Sequence, residues 1–249
     1  MVRHIWIPYC GTAPAPEDLL QRWNLDPVLL AVLAVLAGAC YWMRFRSGEA
    51  PGRRWPIPCL ALLGILLFVS PICALASALF SVRELHHLIL ATLMAPLAAA
   101  AFRPPAPPGI HVISAVPVLH AAAFWLWHVP AFYEAALSSD AAYWAMQFTL
   151  FSTAFLLWRV VAGASPLLGA LCLVLTMTQM GMLGAILTFA AQPLYAPHFF
   201  TTEMWGLSAL QDQQIAGALM WVGGSGIYAA AALYLLAKTL NPKAAAPSC

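Results

Sequence analysis

The residues of this sequence best suited to chemistry are histidines and methionines, and most of them lie in or beside long apolar stretches. They are His86, His87, His120, His128, Met180 and Met220. Ionisable residues inside an apolar stretch are costly to bury in lipid, and they usually mark function. Imidazole and thioether together form the soft ligand set that reduced copper prefers. The residue types therefore point to metal binding, with Cu(I) favoured over zinc because the predicted site lacks cysteine.

Each of these residues also has a purely structural interpretation. His120 could donate a hydrogen bond to a carbonyl of a neighbouring helix, and methionine usually fills space between packed helices. Adjacent helical residues point about 100° apart, so we expect only one of His86 and His87 to face the protein interior, with His86 at the water interface. His120 and His128 would lie about 12 Å apart along a helix axis. One ion cannot bridge that gap, so each would need partners from other helices.

The stretches that position these residues indicate an integral membrane protein. Of the 249 residues, 63% are hydrophobic and 8% are charged, whereas soluble domains carry about 25% charged residues. The net charge of +2 is too weak to suggest nucleic acid as a partner. A membrane-spanning helix needs about 20 mostly apolar residues. Seven segments qualify, namely 27–43, 57–80, 85–102, 112–128, 142–161, 167–190 and 214–237. Their apolar runs are continuous, which favours helices over a barrel, and we predict an all-α bundle of seven transmembrane helices.

Basic residues set the predicted orientation of this bundle. Eight of the 11 lysines and arginines follow the first, third, fifth and seventh segments, and positively charged loops stay in the cytoplasm. The N-terminus is therefore expected outside and the C-terminus in the cytoplasm. We divide the chain into a periplasmic segment 1–26, a membrane domain 27–238 and a cytoplasmic tail 239–249. Six of the seven histidines then fall in the outer half, so the chemistry is expected on the periplasmic side.

Cysteine spacing and catalytic motifs add two negative expectations. The six cysteines form no C-x-x-C pair, which predicts neither a disulfide framework nor a zinc site. We expect them to pack as small apolar residues. The sequence lacks the nucleophile-elbow, zinc-protease and phosphate-loop motifs, and we do not expect an enzyme.

Several short motifs, taken in order, resemble one family of membrane proteins. They are Ser70-Pro71, Leu79-Phe80-Ser81, His86-His87-Leu88, Ala95-Pro96-Leu97, Trp127-His128-Val129-Pro130, Leu183-Gly184-Ala185, and Asp212-Gln213-Gln214 followed by Met220-Trp221. In this order they resemble the multi-spanning CtaG-type family of caa-type cytochrome c oxidase assembly factors, over about residues 23–236. The resemblance implies a bacterial inner-membrane protein that assembles haem–copper oxidase and is suspected of delivering copper to it.

The resemblance also implies roles for individual residues. His87 matches the second histidine of a His-x-x-x-His motif, and His128 matches the histidine of Trp-His-x-Pro, so both are expected to bind copper. Groups that would position these ligands are Asp212, Gln213 and Trp127. Arg83 stands where the family has its first histidine. Either His86 substitutes for that histidine, or the site combines His87 with His128 and weaker ligands such as His120, Met180 and Met220.

Four functions remain open from the sequence. The leading one is a copper-binding assembly factor in the lipid bilayer, with oxidase subunits and a periplasmic copper donor as partners. A haem-binding electron carrier would instead place histidines of different helices on either side of the iron. A copper or small-solute transporter is disfavoured because the inner half carries few polar residues. The last is a metal-free scaffold for oxidase subunits.

Overall fold

The computed structural model describes residues 6–46, 56–102 and 106–240. Part of the charge pattern used above lies outside these ranges, namely Arg3, Arg53, Arg54, Arg103 and Lys243. His4 and the predicted tail from residue 241 onward lie outside them too. Every long regular element within the described ranges is a helix.

Eleven α-helices form the described structure, and three π-turns interrupt or join them. The helices are α1 Pro27–Arg46, α2 Pro56–Gly64, α3 Pro71–Ala78, α4 Phe80–Ile89, α5 Ala95–Ala100, α6 Ile110–His128, α7 Pro130–Ser138, α8 Asp140–Gly163, α9 Pro166–Thr188, α10 Ala209–Ala218 and α11 Ser225–Leu240. The π-turns are Ile65–Val69 after α2, Leu90–Met94 between α4 and α5, and Leu219–Gly224 between α10 and α11. Short 3-10 turns lie at Leu19–Gln21, Ala196–His198 and Glu203–Trp205.

Length and hydropathy identify four segments of the described chain that can cross a membrane. They are α6, α8, α9 and the continuous run Ala209–Leu240. Pro56–Val69 and α3 form a fifth if the pair, which is bent by 45°, counts as one span. One further predicted span coincides with α1, whose apolar part Pro27–Trp42 is shorter than the segments named above. Another coincides with the run from α4 to α5. The structure thus supports an all-helical membrane protein with four or five spans, and the count of seven and the orientation stay predictions.

The break between α3 and α4 leaves the Ala78 carbonyl and the Phe80 N–H available to other segments of the chain. Pro71 begins α3, and the Ser70 side chain caps that helix by accepting from the Ile72 N–H. Leu79 then adopts an extended conformation, with φ −121° and ψ 125°, and separates α3 from α4. Pro71 thus stands at a break in its span, whereas Pro117 lies within an unbroken α6.

A disulfide bond contradicts the prediction for the cysteines. Cys10 is bonded to Cys73 of α3, with the Cα atoms 5.4 Å apart, and the bond fastens the N-terminal segment to the bundle. The other cysteines within the described ranges are free, as expected for small packing residues. The pair lies 63 residues apart in sequence, and spacing alone cannot reveal which cysteines meet in space.

Glycines allow α9 to pack closely against the run from α10 to α11. A Cβ atom on Gly217 would lie 2.6 Å from the Gly184 carbonyl oxygen and 2.5 Å from the Thr188 hydroxyl. Farther along, a Cβ atom on Gly224 would collide with the Met180 sulfur. Such close approach is typical of small residues at the interface of membrane helices, and the Met180 side chain is buried beside it.

Candidate functional site

The beginning of α4 is held by a carboxylate from another part of the chain. The Asp212 oxygens accept from the Phe80 N–H at 2.6 Å and from the Ser81 N–H at 3.1 Å, and the Ser81 hydroxyl also donates to Asp212. An anion is favoured at a helix N-terminus, where free N–H groups and the helix dipole meet. Asp212 does not cap its own helix α10, because Ser208 does so in a capping box with Gln211. Asp212 therefore fixes the helix that carries the candidate histidines.

Glu84 of α4 joins the two histidines that were expected to bind copper. Its Oε2 lies 2.9 Å from His128 Nε2, and its Oε1 lies 3.3 Å from His87 Nδ1. The three residues are buried, so they form one enclosed cluster between α4 and α6. The structure thus brings His87 and His128 together through a carboxylate that lies between them.

The two histidines of this cluster differ in the hydrogen bonds that their ring nitrogens make. His128 Nδ1 lies 2.7 Å from the Phe124 carbonyl oxygen, which can only accept, so Nδ1 donates. His128 Nε2 faces Glu84, and both nitrogens are therefore engaged. Neither ring nitrogen of His87 has a hydrogen-bond partner among the described residues, and Nε2 also lacks the ion-pair contact that Nδ1 makes with Glu84. Of the pair, His87 is the residue that offers an unused nitrogen.

His86 and Arg83 are also buried beside this cluster. His86 is fully buried, and neither of its ring nitrogens has a partner in the described part of the chain. The expectation that His86 reaches water was wrong, because α4 is covered on several sides and the Phe68 ring packs edge-on against His86 at 5.1 Å. Arg83 is buried, its guanidinium lies 5.4 Å from the centre of the Tyr143 ring, and it precedes His86 and His87 by one turn of α4.

The loop after α9 adds a polar contact that sequence reasoning missed. His198 Nε2 lies 2.7 Å from the Tyr133 hydroxyl, and His198 Nδ1 lies 3.2 Å from the Ala78 carbonyl oxygen at the α3–α4 break. Burial lowers the pKa of His198 to about 4, so the neutral ring donates from Nδ1 and accepts at Nε2. The neighbouring Tyr195 hydroxyl donates to the His128 carbonyl at 2.9 Å. The loop therefore contacts the end of α3, α6 and α7.

The remaining candidate residues have separate surroundings. The Trp127 indole donates to the Thr149 hydroxyl at 2.9 Å. Gln213 Oε1 accepts from the Leu194 N–H at 2.7 Å. These two contacts fix a helix pair and a loop, and they stabilise the fold whether or not a metal is bound.

The other three candidates lie in the helix packing. Met220 is fully buried in the third π-turn, where that turn approaches Gly184. His120 and Met180 line one small cavity between α6 and α9. The sequence placed all three as weaker ligands of one copper site, and in the structure they stay predictions.

The described residues hold no group of three or more His, Cys, Asp or Glu side chains arranged to bind a metal ion. Glu84 was not among the candidate residues identified from the sequence. Its spacing to His87, three residues later in one helix, is the signal that could have identified it, because residues three apart share a helix face. Tyr133 and His198 carry no such local signal.

Comparison with known proteins adds one finding. The description of the matching family is cytochrome c oxidase caa3 assembly factor, Caa3_CtaG, and its model matches residues 111–241 of this chain. The comparisons with curated proteins and with solved structures gave no match.

Proposed function

Because the chain belongs to the family of cytochrome c oxidase caa3 assembly factors, we propose that it helps to assemble a haem–copper oxidase by holding copper as cargo at the outer end of its bundle. Membership of the family supports a role in oxidase assembly, and the enclosed cluster around Glu84 supports the binding of copper in that role. The observation that carries the proposal is the His87 ring, whose buried Nε2 has no partner among the described residues.

The contacts of the cluster suit His87 for binding a metal ion. A metal-binding histidine commonly turns its second ring nitrogen toward a carboxylate, which fixes the ring and favours the proton on that nitrogen. Glu84 Oε1 stands 3.3 Å from His87 Nδ1, at ion-pair distance but outside hydrogen-bond geometry, and a small rotation of the ring would make this hydrogen bond. His128 holds the other carboxylate oxygen at 2.9 Å, so it positions Glu84. In this arrangement His87 Nε2 receives the ion and the neighbouring His86 supplies a second imidazole.

Arg83 explains why a transient cargo suits this cluster better than a permanent metal. A buried guanidinium close to the histidines repels a second cation, because charges interact strongly where water is excluded. Copper at His87 would therefore be held less tightly than at a site without the arginine. A delivery protein must release its ion, and this charge arrangement favours release.

The disulfide supports an outward position for the cluster. Disulfides persist in oxidising compartments such as the bacterial periplasm, and Cys10–Cys73 lies close to Tyr143, whose ring packs against Arg83. An outward cluster also agrees with the predicted orientation. Copper would be exchanged there with oxidase subunits and with a periplasmic donor.

Copper content and oxidase assembly in a strain lacking the native protein provide the test. His87→Asn keeps a side-chain amide near the position of Nδ1 and removes Nε2. We expect it to lower Cu(I) bound by the purified protein at least tenfold and to lower membrane oxidase activity. His111→Asn is the matched control, because His111 is exposed at the other end of α6.

Two results would count against the proposal. Unchanged copper binding in His87→Asn would remove this cluster as the site. Full oxidase assembly in cells carrying His87→Asn, despite lost copper binding, would favour the metal-free scaffold.

A further inference from the structure

The first helix, α1, lines one side of a groove that it shares with three other helices. Leu33, Leu36 and Cys40 of α1 line this groove, and their spacing of three and four residues places them on one side of the helix. A Cβ atom on Gly64 of α2 would lie 3.1 Å from a Leu33 methyl carbon, so α1 meets α2 beside the groove. The side of α1 that points toward α5 and α8 thus faces an open space.

The walls of this groove are suited to hydrocarbon. The groove measures about 330 Å³, lies between α1, α2, α5 and α8, and is lined by hydrophobic residues throughout. Its aromatic wall is formed by Phe151 and Phe155 of α8, whose ring centres lie 6.3 Å apart, and by Phe102, whose ring centre lies 5.8 Å from that of Phe155. A water molecule would find no hydrogen-bonding side chain there, whereas an apolar chain would lose no polar contact on entering.

A cation stands at one end of the groove. Arg159 follows Phe155 by one turn of α8, and a helical side chain leans toward the N-terminus of its helix, which here means toward Phe155. Arg159 Nη1 lies 3.4 Å from the Ala99 carbonyl oxygen, and the neighbouring residue of α5, Ala98, lines the groove. The guanidinium is therefore held beside the end of the groove that α5 and α8 form.

The charges of the four helices favour an anionic ligand at this end. In the part of the chain that the structure describes, α1, α2, α5 and α8 carry a single acidic residue, Asp140. Asp140 begins α8, and 19 residues of helix separate it from Arg159, which is about 28 Å along the axis. A guanidinium can bind a phosphate group through two N–H groups, and basic residues at the ends of membrane helices attract anionic lipids.

We propose that this groove binds an anionic phospholipid, with one acyl chain between α1 and α8 and the phosphate at Arg159. The apolar walls account for the acyl chain, and the guanidinium at one end accounts for the negative charge. The bound chain joins α1 to α5 and α8 by filling the space that separates them. The proposal does not depend on copper binding, because the groove shares no residue with the cluster around Glu84.

Native mass spectrometry of the delipidated protein in detergent tests the proposal. Dioleoyl phosphatidylglycerol and dioleoyl phosphatidylcholine are added separately, because they share their acyl chains and differ in net charge. We expect one phosphatidylglycerol to bind about fivefold more tightly than phosphatidylcholine, which is the preference that one arginine near an anionic lipid provides. Arg159→Gln should abolish this preference. Arg22→Gln is the matched control and should keep it, because Arg22 lies in the N-terminal segment and does not line the groove.

Larger side chains in the groove test the place of the acyl chain. Ala61→Phe fills the groove from α2 and Ala37→Phe fills it from α1. Each should weaken the binding of both lipids by about tenfold, because excluding even two buried CH₂ groups has that effect. Val222→Phe is the control of equal size, since Val222 is 72% exposed and lies outside the groove. Phosphatidylglycerol should raise the melting temperature of the parent protein and of Val222→Phe, but not that of the two filled variants.

Four outcomes would overturn the proposal. Equal affinity of the parent protein for the two lipids would reject an anionic ligand, and a preference that survives in Arg159→Gln would place the phosphate elsewhere. Unchanged lipid binding in both Ala61→Phe and Ala37→Phe would place the acyl chain outside the groove. A dimer that excludes lipid, and that the two filled variants abolish, would show that a second copy of this chain occupies the groove.

Discussion

Removing the Asp212 carboxylate should loosen the beginning of α4. In Asp212→Ala, the Phe80 and Ser81 N–H groups that now donate to the carboxylate lose their acceptor inside the protein. Each buried donor left unpaired costs about 1–3 kcal/mol, and relief from burying the carboxylate offsets part of that cost. We expect the free energy of unfolding to fall by about 3 kcal/mol, which lowers the melting temperature by about 10 °C for a chain of this size.

Two variants of the same helix make the test of Asp212 specific. Asp212→Asn keeps one acceptor oxygen and should lose only about 1–2 kcal/mol. Ser208→Ala removes the cap of α10 itself and should cost about 1 kcal/mol. Melting of the detergent-purified proteins, followed by tryptophan fluorescence, gives the three shifts. Equal losses for Asp212→Ala and Ser208→Ala would refute the reasoning that α4 depends on this carboxylate.

Stability should also respond to pH, to helix spacing and to reduction. As the pH falls from about 6.5 to about 4, the unfolded chain binds a proton at His198 that the folded chain excludes. The free energy of unfolding should therefore drop by up to about 3 kcal/mol, and melting curves at pH 7 and pH 4.5 should show a smaller drop in His198→Asn. Gly217→Ala should lower the melting temperature by about 3–10 °C because its Cβ atom meets Thr188 within 2.6 Å. Gly223→Ala, with open space around it, should not lower it. Cys10→Ser should cost about 4 kcal/mol because the bond closes a loop of 63 residues, and the parent protein melted under reductant should match it.

The helices of the membrane domain were predictable because hydropathy acts on each segment by itself. The bounds of the predicted spans 112–128, 142–161 and 167–190 lie within two residues of those of α6, α8 and α9. A long apolar run must become helical in lipid whatever its neighbours are. The motifs likewise identified the family, and the matching family model confirms it.

The contacts between distant segments could not be predicted in the same way. Asp212 meets Phe80 across 132 residues, and no periodicity of either helix specifies that meeting. The burial of His86 was not predicted, because helical spacing shows on which side of a helix a residue lies but not how many neighbouring segments pack against that side. The cluster around Glu84 joins side chains of α4 and α6, and it became visible only when those helices were placed.

The disulfide has a consequence for how α1 stays attached. The bond from Cys10 to Cys73 closes a covalent ring that contains both α1 and α2. Among the described side chains of α1, only Leu29 is buried, so packing holds this helix weakly. The ring instead keeps the effective concentration of α1 beside the bundle high, even when the helix moves sideways into the lipid. Proteolysis between α1 and α2 would then release no fragment until the bond is reduced.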